Sequence, residues 1–327
     1  MTPLDSRLRP FTPADADAFA ALQLAALGRA GSGEDLLAAD ARRPPADLLR
    51  RRLLVSAGGE ILGGTQLQTW AFSPPGFLHA QLMVHPHARA QGHGRALWQD
   101  LLVAARQAGA RGLHTDVPDP DPADRDWASR RGFSVHAHRF ASQLDLTRFD
   151  PAAFESQRQA AQAQGVTFTD LSSTDLNSAD PNSADETTLD RYLNFVADRL
   201  TETPDLAGHP RWPLAQVRGI LRLDHDPRPD WLVLAVGPDG EWLGTTAMIR
   251  FRSLPFAYNE LTALHPQARG RGLALPLKLQ VIERARREGF TAMRTNNHSL
   301  NAPMLAVNRR LGFVQQAGRF EMHRLLP

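Results

Sequence analysis

The chain has 327 residues, of which 42% are hydrophobic and none is cysteine. This length predicts two domains of about 150 residues each. The lack of cysteine excludes disulfides, thiolate metal ligands and cysteine nucleophiles. The formal net charge is only +2 and arginines are interspersed with acids, so we expect no nucleic-acid partner. There is no apolar run of about 18 residues and no basic-then-apolar N-terminus, so we expect no membrane partner, no signal peptide and a cytoplasmic location.

In the first half of the chain, the hydrophobic pattern predicts a strand, a helix and a hairpin, and then alternating strands and helices. The predicted elements are, in chain order, a strand at 8–12, a helix at 14–27, paired strands at 50–57 and 61–70, a strand at 77–84, a helix at 92–109, a strand at 113–117, a helix at 123–131 and one or two strands over 133–146. This order predicts a mixed α/β fold.

The second half repeats the order of the first. Its predicted elements are strands at 232–236, 242–251 and 257–264, a helix at 272–288, a strand at 292–295, a helix at 303–311 and closing strands over 313–325. Gly64 matches Gly244 and His85 matches His265, and both pairs are 180 positions apart. A chance repeat would not keep register over about 70 residues, so we interpret the chain as two copies of one domain. The expected ranges are 1–150 for the first domain, 151–164 for a linker and 165–327 for the second domain.

One glycine-containing loop occurs in both copies, between a strand that ends at His-Pro and a following helix. Backbone N–H groups at a helix N-terminus bind anions, glycine allows a close approach, and arginine adds positive charge. The loop therefore predicts diphosphate binding. A dinucleotide-binding turn would need a third glycine, which neither copy has. A turn that only starts a helix is the simpler alternative, but two copies in one register argue against it.

Both loops resemble motif A of the GCN5-related N-acetyltransferase (GNAT) superfamily, as Arg89-x-x-Gly92-x-Gly94 and Arg269-x-x-Gly272-x-Ala274. The segment Asn301-x-x-Met304-x-x-x-Asn308-x-x-Leu311-Gly312-Phe313 resembles the motif that follows it in that family. The resemblance covers nearly the whole chain and implies two tandem GNAT-like acyl-CoA N-acyltransferase domains. It implies that acetyl-CoA binds in a V-shaped opening between two central strands. The residues implied to bind acetyl-CoA are Val84, Arg89, Gln91, Gly92, His93, Gly94 and Arg95 in the first copy, and Ala263, Leu264, His265, Arg269, Gly270, Arg271, Gly272, Leu273, Ala274, Leu275, Asn301 and Asn308 in the second.

Acetyl transfer to an amine requires the amine to lose a proton, which a general base accepts. Strand alternation predicts that Tyr258, Glu260, Thr262 and Leu264 share one face of the central strand in the second copy. The matching positions in the first copy are apolar. GNAT enzymes often place a basic carboxylate on this strand, so the resemblance implies Glu260 as the base and the second copy as the active one. A salt-bridged surface role for Glu260 is the alternative.

The resemblance also implies a tyrosine that protonates the leaving thiolate, but Asn308 holds that position here and Ala128 holds it in the first copy. Asparagine can hydrogen-bond the sulfur without supplying a proton. Either water or another residue protonates the thiolate, or the thiolate leaves unprotonated. Tyr258 is a further catalytic candidate, with aromatic packing as its alternative. We expect the cofactor site of the first copy to be vestigial. His85 and His265 are interpreted as strand-ending residues, and we expect no metal.

Together these patterns predict an N-acetyltransferase that moves acetyl from acetyl-CoA to a primary amine of a small-molecule acceptor, with its active site in the C-terminal domain. The oligomeric state stays open. One alternative is a CoA-binding sensor or scaffold protein, which the missing tyrosine favours. Another is an aminoacyl-tRNA-dependent transferase on the same architecture, which a basic patch and loss of the CoA loop would favour.

Overall fold

The computed structural model describes residues 6–119, 122–172, 186–251 and 254–327. Within these residues the chain begins with β1 (Ser6–Pro10), α1 (Ala16–Leu27), α2 (Gly33–Ala41), β2 (Leu49–Ser56), β3 (Ile61–Gln68), β4 (Phe77–Val84), α3 (His93–Gln107), β5 (Gly112–Pro118), α4 (Pro122–Ser129) and β6 (Ser134–Asp145). It continues with α5 (Glu155–Gln162), β7 (Thr167–Asp170), α6 (Glu186–Thr201), α7 (Leu214–Ile220), β8 (Leu232–Val236), β9 (Trp242–Arg250), β10 (Ala257–Leu264), α8 (Ala274–Arg287), β11 (Ala292–His298), α9 (Ala302–Arg310) and β12 (Val314–Leu325). The mixed α/β class is confirmed.

Each half of the sequence repeat supplies most of one compact unit. The first unit is Met1–Ala137 with Arg319–Pro327, and the second is His138–Gly318. In the first unit the strand order is β1-β2-β3-β4-β5-β12, and in the second it is β7-β8-β9-β10-β11-β6. The parallel neighbours are β4 with β5 and β10 with β11, and the other pairs that the structure describes within the units are antiparallel.

The last strand of each unit is exchanged between the two halves of the chain. Arg139–Asp145 of β6 pairs with β11 in the second unit, and Arg319–Leu325 of β12 pairs with β5 in the first. The sequence repeat predicts that each closing strand pairs within its own copy. Alternation of residues predicts a strand but does not name its partner, because pairing is set by non-local packing. The expected domain ranges treat each copy as continuous and remain a prediction.

Helices cover both faces of the sheet in the first unit. On one face Phe19 and Leu22 of α1 pack against Leu53 and Met83. On the other face, Leu101 of α3 belongs to a second buried cluster that includes residues of β3, β4 and β5. Each aliphatic side chain buried in this way stabilises the fold by about 1.5–3 kcal/mol. The central strand β4 therefore packs against helices on both sides, through Met83 on one face and Ala80 on the other, and the loop that leaves it has a fixed starting point.

The second unit has its main core under α8. Leu277, Leu279, Val281 and Ile282 of that helix are all fully buried. Trp231, which precedes β8, is 1% exposed in the same cluster. Among the described residues no helix is both long enough and apolar enough to span a membrane.

Candidate functional site

The two glycine-containing loops have the same backbone conformation. Ala90 and Gly92 have φ angles of 62° and 87°, and Gly270 and Gly272 at the matching positions have 75° and 79°. Glycine adopts this left-handed region freely, whereas another residue adopts it at a cost of about 1–2 kcal/mol. Alanine at position 90 therefore indicates that surrounding contacts impose the loop conformation.

Both loops present consecutive backbone amides. Arg89 donates its N–H to Pro86, and the next bonds in the first loop start at Arg95, so the amides of 90–94 have no partner among the described residues. In the second loop the backbone amides of 270–275 likewise have no hydrogen-bond partner among the described residues. The first N–H groups of a helix have no intrahelical acceptor. A run of such groups forms an anion-binding concavity, which is the geometry that a diphosphate requires.

A cleft opens in the first unit where β4 and β5 separate. Their parallel pairing runs from Phe77–Gly112 to His79–His114, and both strands then continue apart. A cavity of about 440 Å³ lies between residues 80–84 and 115–118 and reaches the glycine loop. The buried Oε1 of Gln81, which lines this cavity, has no hydrogen-bond partner among the described residues. The cleft has the V shape and the unsatisfied polar lining that a ligand would complete.

Four arginines line this cleft: Arg89, Arg95, Arg130 and Arg131. Burial and the positive charges of Arg130 and Arg95 lower the pKa of Arg131. The Arg131 guanidinium carbon lies 3.4 Å from the centre of the Trp127 ring, which fixes its plane. Within the described part of the chain, Arg95, Arg130 and Arg131 form no ion pair. Asp116 and Asp124 also line the cleft, so its charged lining has four arginines and two aspartates, an excess of positive charge that suits a polyanion.

In the second unit the loop arginines already contact the protein. Arg269 pairs with Glu202, and Nε of Arg271 donates to Oε1 of Gln164 over 3.1 Å. The pairing of β10 with β11 ends at Tyr258–Arg294, so these strands also separate. The two units thus share the loop and the separation of the strands. They differ in that the loop arginines line the cleft in the first unit and contact Glu202 and Gln164 in the second.

A β-bulge at Glu260 corrects the predicted strand face. Asn259 is opposite Met248 and Leu261 is opposite Ala247, so Glu260 is the extra residue. A bulge shifts the alternation of side chains between the two sheet faces by one residue. Residues before and after the bulge therefore no longer share a face at every second position. Thr262 therefore lies with Asn259, which its hydroxyl contacts at 3.2 Å, and on the opposite face from Tyr258. The prediction that Tyr258 and Thr262 share a face was wrong.

Glu260 is two residues beyond Tyr258, the last residue of β10 that pairs with β11. Burial, with a further contribution from the negative charge of Asp205, raises its pKa to about 7. Within the described residues it has no hydrogen bond or ion pair. Asp205 itself pairs with Arg139, with 2.8 Å between Oδ1 and Nη1. A carboxyl group that is half ionised near neutral pH is suited to accept a proton there.

A buried lysine, which the sequence analysis did not single out, lies behind Asn308. Lys278 is 1% exposed, and its Nζ donates to Oδ1 of Asn308 over 2.6 Å. Nδ2 of Asn308 donates in turn to Oδ1 of Asn297 over 2.7 Å. Burial lowers the pKa of Lys278 to about 7. The only sequence signal was a lysine among the core-facing leucines of α8, at the position that Trp98 holds in the first copy.

Three other predicted residues have local contacts. Asn301 caps α9, because its Oδ1 accepts from the N–H of Met304 at 3.4 Å. His265 starts the turn after β10, and its Nδ1 accepts from the N–H of Gln267 at 3.4 Å. Tyr258 packs edge to face on Phe251, with 5.6 Å between ring centres. Their roles toward a cofactor or substrate stay predictions.

Comparison with known proteins agrees with this geometry. The sequence model of the acetyltransferase (GNAT) family matches residues 26–133 and 194–313. A mycothiol acetyltransferase of Streptomyces scabiei is 35% identical over 102 residues, which are 31% of each chain. One from Streptomyces coelicolor is 45% identical over 65 residues, 20% of each chain. The matches thus span less than a third of these relatives.

Two solved structures share the fold over nearly the whole chain. A GCN5-related N-acetyltransferase from Sphaerobacter thermophilus has a TM-score of 0.70 at 17% identity, and the match covers 99% of this chain and 97% of that one. A tandem GNAT protein from the clavulanic acid biosynthesis pathway has a TM-score of 0.66 at 23% identity, with 98% of both chains covered. At these identities the likeness establishes the tandem fold.

Proposed function

The chain belongs to the acetyltransferase (GNAT) family, and we propose that its second unit transfers acetyl from acetyl-CoA to a primary amine of a small molecule. The observation that carries this proposal is Glu260, a carboxyl group with a pKa of about 7 at a bulge where β10 leaves β11. The matching residue of the first copy is Ala80, which cannot accept a proton. The relatives named mycothiol acetyltransferase support a small-molecule acceptor.

The loop after β10 would hold the diphosphate of acetyl-CoA. Its open amides at 270–275 and the start of α8 supply oriented N–H groups, and Gly270 and Gly272 keep Cβ atoms out of the approach. No atom comes within 4 Å of the position that a Cβ would take at either glycine, so this side of the loop is open. Acetyl-CoA supplies the activated thioester, and the residues of the chain bind it and move protons.

Glu260 would accept the proton of the acceptor amine. A base works best when its pKa lies near the working pH, because it is then ionised yet still basic. A carboxylate at its ordinary pKa would be ionised but too weak a base for an amine. Burial of Glu260 raises its pKa toward neutrality, and Asp205 adds to the effect.

Lys278 would supply the proton for the leaving thiolate, with Asn308 holding its ammonium group in place and giving up no proton itself. The family's tyrosine position is Asn308 here, and its amide oxygen accepts from Lys278 Nζ over 2.6 Å. An ammonium group with a pKa of about 7 releases its proton readily, whereas an ordinary lysine does not. In this proposal Lys278, held by Asn308, is the acid that the missing tyrosine would otherwise be.

The test is thiol release from acetyl-CoA over a panel of small primary amines. We expect Glu260→Gln to lower kcat/KM by about 10²- to 10⁴-fold, the usual range for a general base. For the wild type, kcat/KM should follow a bell-shaped pH profile with its maximum near pH 7, rising as Glu260 ionises and falling as Lys278 loses its proton. Glu34→Gln, on the exposed side of α2, is the matched control and should leave kcat/KM and its pH dependence unchanged. Equal turnover of the Glu260 variant at every pH rules out this base.

A second cofactor site in the first unit is favoured by its cleft of about 440 Å³ and four arginines. Calorimetry with acetyl-CoA should then give two sites per chain. Arg131→Ala should remove one of them and leave amine acetylation in the second unit intact. A single site that survives this substitution supports the vestigial first copy expected from the sequence. Binding without turnover on any amine supports the sensor alternative.

A further inference from the structure

A cluster of histidines and carboxylates lies on one sheet face of the first unit. His79 and His114 are directly opposite each other, at the last paired position of β4 and β5. Asp116 is two residues further along β5, on the same face as His114. Nε2 of His79 is 3.4 Å from Oδ2 of Asp116, and Nε2 of His114 is 3.8 Å from Oδ1. The three groups therefore converge at one point.

The two histidine nitrogens that point into this cluster lack hydrogen bonds. The side chains of His79 and His114 are 4% and 0% exposed, and neither Nε2 has a hydrogen-bond partner among the described residues. Nε2 of His114, at 3.8 Å, is beyond hydrogen-bonding distance of Asp116, and Nε2 of His79, at 3.4 Å, makes no hydrogen bond with it. A buried nitrogen without a partner destabilises a fold by about 1–3 kcal/mol. Two of them aimed at one carboxylate indicate a missing ligand.

The distances suit a metal ion. An ion with ligands at about 2.0–2.1 Å in tetrahedral geometry holds its ligand atoms about 3.3 Å apart. The 3.4 Å between Nε2 of His79 and Oδ2 of Asp116 matches this value. Nε2 of His114 lies 3.8 Å from the other oxygen, Oδ1, so a shift of His114 or Asp116 is needed for one ion to join all three groups. An ion would bind both orphaned nitrogens at once.

Outer contacts already orient the two imidazoles. Nδ1 of His114 is 3.1 Å from Oγ of Ser73, and Nδ1 of His79 is 3.4 Å from Nε2 of Gln68. Metal-binding histidines are commonly held through one ring nitrogen, which leaves the other for the ion. Nε of Arg319 lies 3.3 Å from Oδ1 of Asp116, whereas Oδ2 of the same carboxylate faces His79.

We propose that His79, His114 and Asp116 form a binding site for one divalent transition-metal ion of the zinc class. Two imidazoles and a carboxylate are typical ligands of such ions. A neighbouring set of His114, Glu321 and His323 shares one member. In that set His323 Nε2 is already 2.9 Å from Glu321 Oε1, at hydrogen-bonding distance, so the first set is the site. This site is separate from the second unit, where we place acetyl transfer.

The experiment uses the full chain without an affinity tag, stripped with a chelator and then titrated with Zn²⁺. We expect one ion per chain by calorimetry and by elemental analysis after dialysis. His79→Ala, His114→Ala and Asp116→Asn should each weaken binding by at least about tenfold, since even outer-shell changes cost 10–100-fold. His225→Ala, an exposed histidine in the second unit, is the control and should bind as the wild type does.

Circular dichroism melts of each variant establish that it is folded. A Co²⁺ absorption spectrum of the wild-type chain needs no variant and reports the ligand geometry directly. Absence of a bound ion in the wild type overturns the proposal. So does an ion that persists in all three variants, or one that only Glu321→Gln removes.

Discussion

Replacing Lys278 with methionine tests whether the buried amine of this residue destabilises the second unit. Burial lowers the pKa of Lys278 from 10.5 to about 7. At about 1.4 kcal/mol per pKa unit, the buried ammonium destabilises the folded state by about 5 kcal/mol, to order of magnitude. The pKa is lower in the folded than in the unfolded state. The penalty is therefore complete below pH 7 and disappears as the pH approaches 10.5.

Methionine has a similar length and no charge, so Lys278→Met removes this pH-dependent penalty. It also leaves Oδ1 of Asn308 without its donor, which costs about 1–3 kcal/mol. We expect the variant to be more stable than the wild type by about 2–4 kcal/mol at pH 6. The difference should shrink by about 1.4 kcal/mol per pH unit above pH 7 and change sign between about pH 8.5 and 10.

Urea denaturation of both proteins from pH 6 to 10 measures this difference, and other titrating groups cancel between them. Leu279→Met introduces the same side chain one position along α8 without a change of charge, so its effect should not depend on pH. If Lys278 protonates the thiolate, Lys278→Met should also lower kcat while acetyl-CoA affinity stays unchanged. A stability difference that is constant over this pH range refutes the buried-amine argument.

The remaining predictions concern the loop and the core. Ala90→Gly should raise stability by up to about 1 kcal/mol in thermal unfolding, because glycine adopts the φ of 62° freely, and a loss instead would show that Ala90 is unstrained. Gly272→Ala should lower acetyl-CoA affinity and stability together, since its φ is 79°; unchanged calorimetric affinity would exclude this loop from the cofactor site. Tyr192→Phe should cost about 0.5–1.5 kcal/mol in urea unfolding, because it removes the buried 2.9 Å contact with Thr245, and no loss would show that this contact is energetically neutral.

Local pattern was enough to predict most of the strands and helices. The bounds predicted for β4, β8 and β10 are those of the structure, because each strand is a compact apolar run with turn residues at both ends. Helices α2 and α7 were missed, since segments of nine and seven residues carry too few turns for a clear period. The exchange of β6 and β12 could not be predicted, because both strands would look the same with either partner.

The site divides in the same way between local and non-local information. The glycine loops were found because their residues are adjacent in sequence and their 180-residue repeat is visible. The bulge at Glu260 was not predicted, because it depends on the register in which β10 pairs with β9. The contact of Lys278 with Asn308 joins residues 30 positions apart, and that of His79 with Asp116 joins two strands. Such contacts follow from the fold and leave no pattern in a single sequence.

The comparison of the two units also argues for where chemistry takes place. At the positions of Ala80 and Trp98 in the first unit, the second unit has Glu260 and Lys278. Burial moves the pKa of both groups to about 7, one upward and one downward, so each destabilises the folded state at neutral pH. Apolar residues fit the same positions of the same fold, as the first unit demonstrates. A base and an acid with pKa values near neutrality suit acetyl transfer, and stability alone gives no reason to keep either, which supports our proposal that the second unit is the active one.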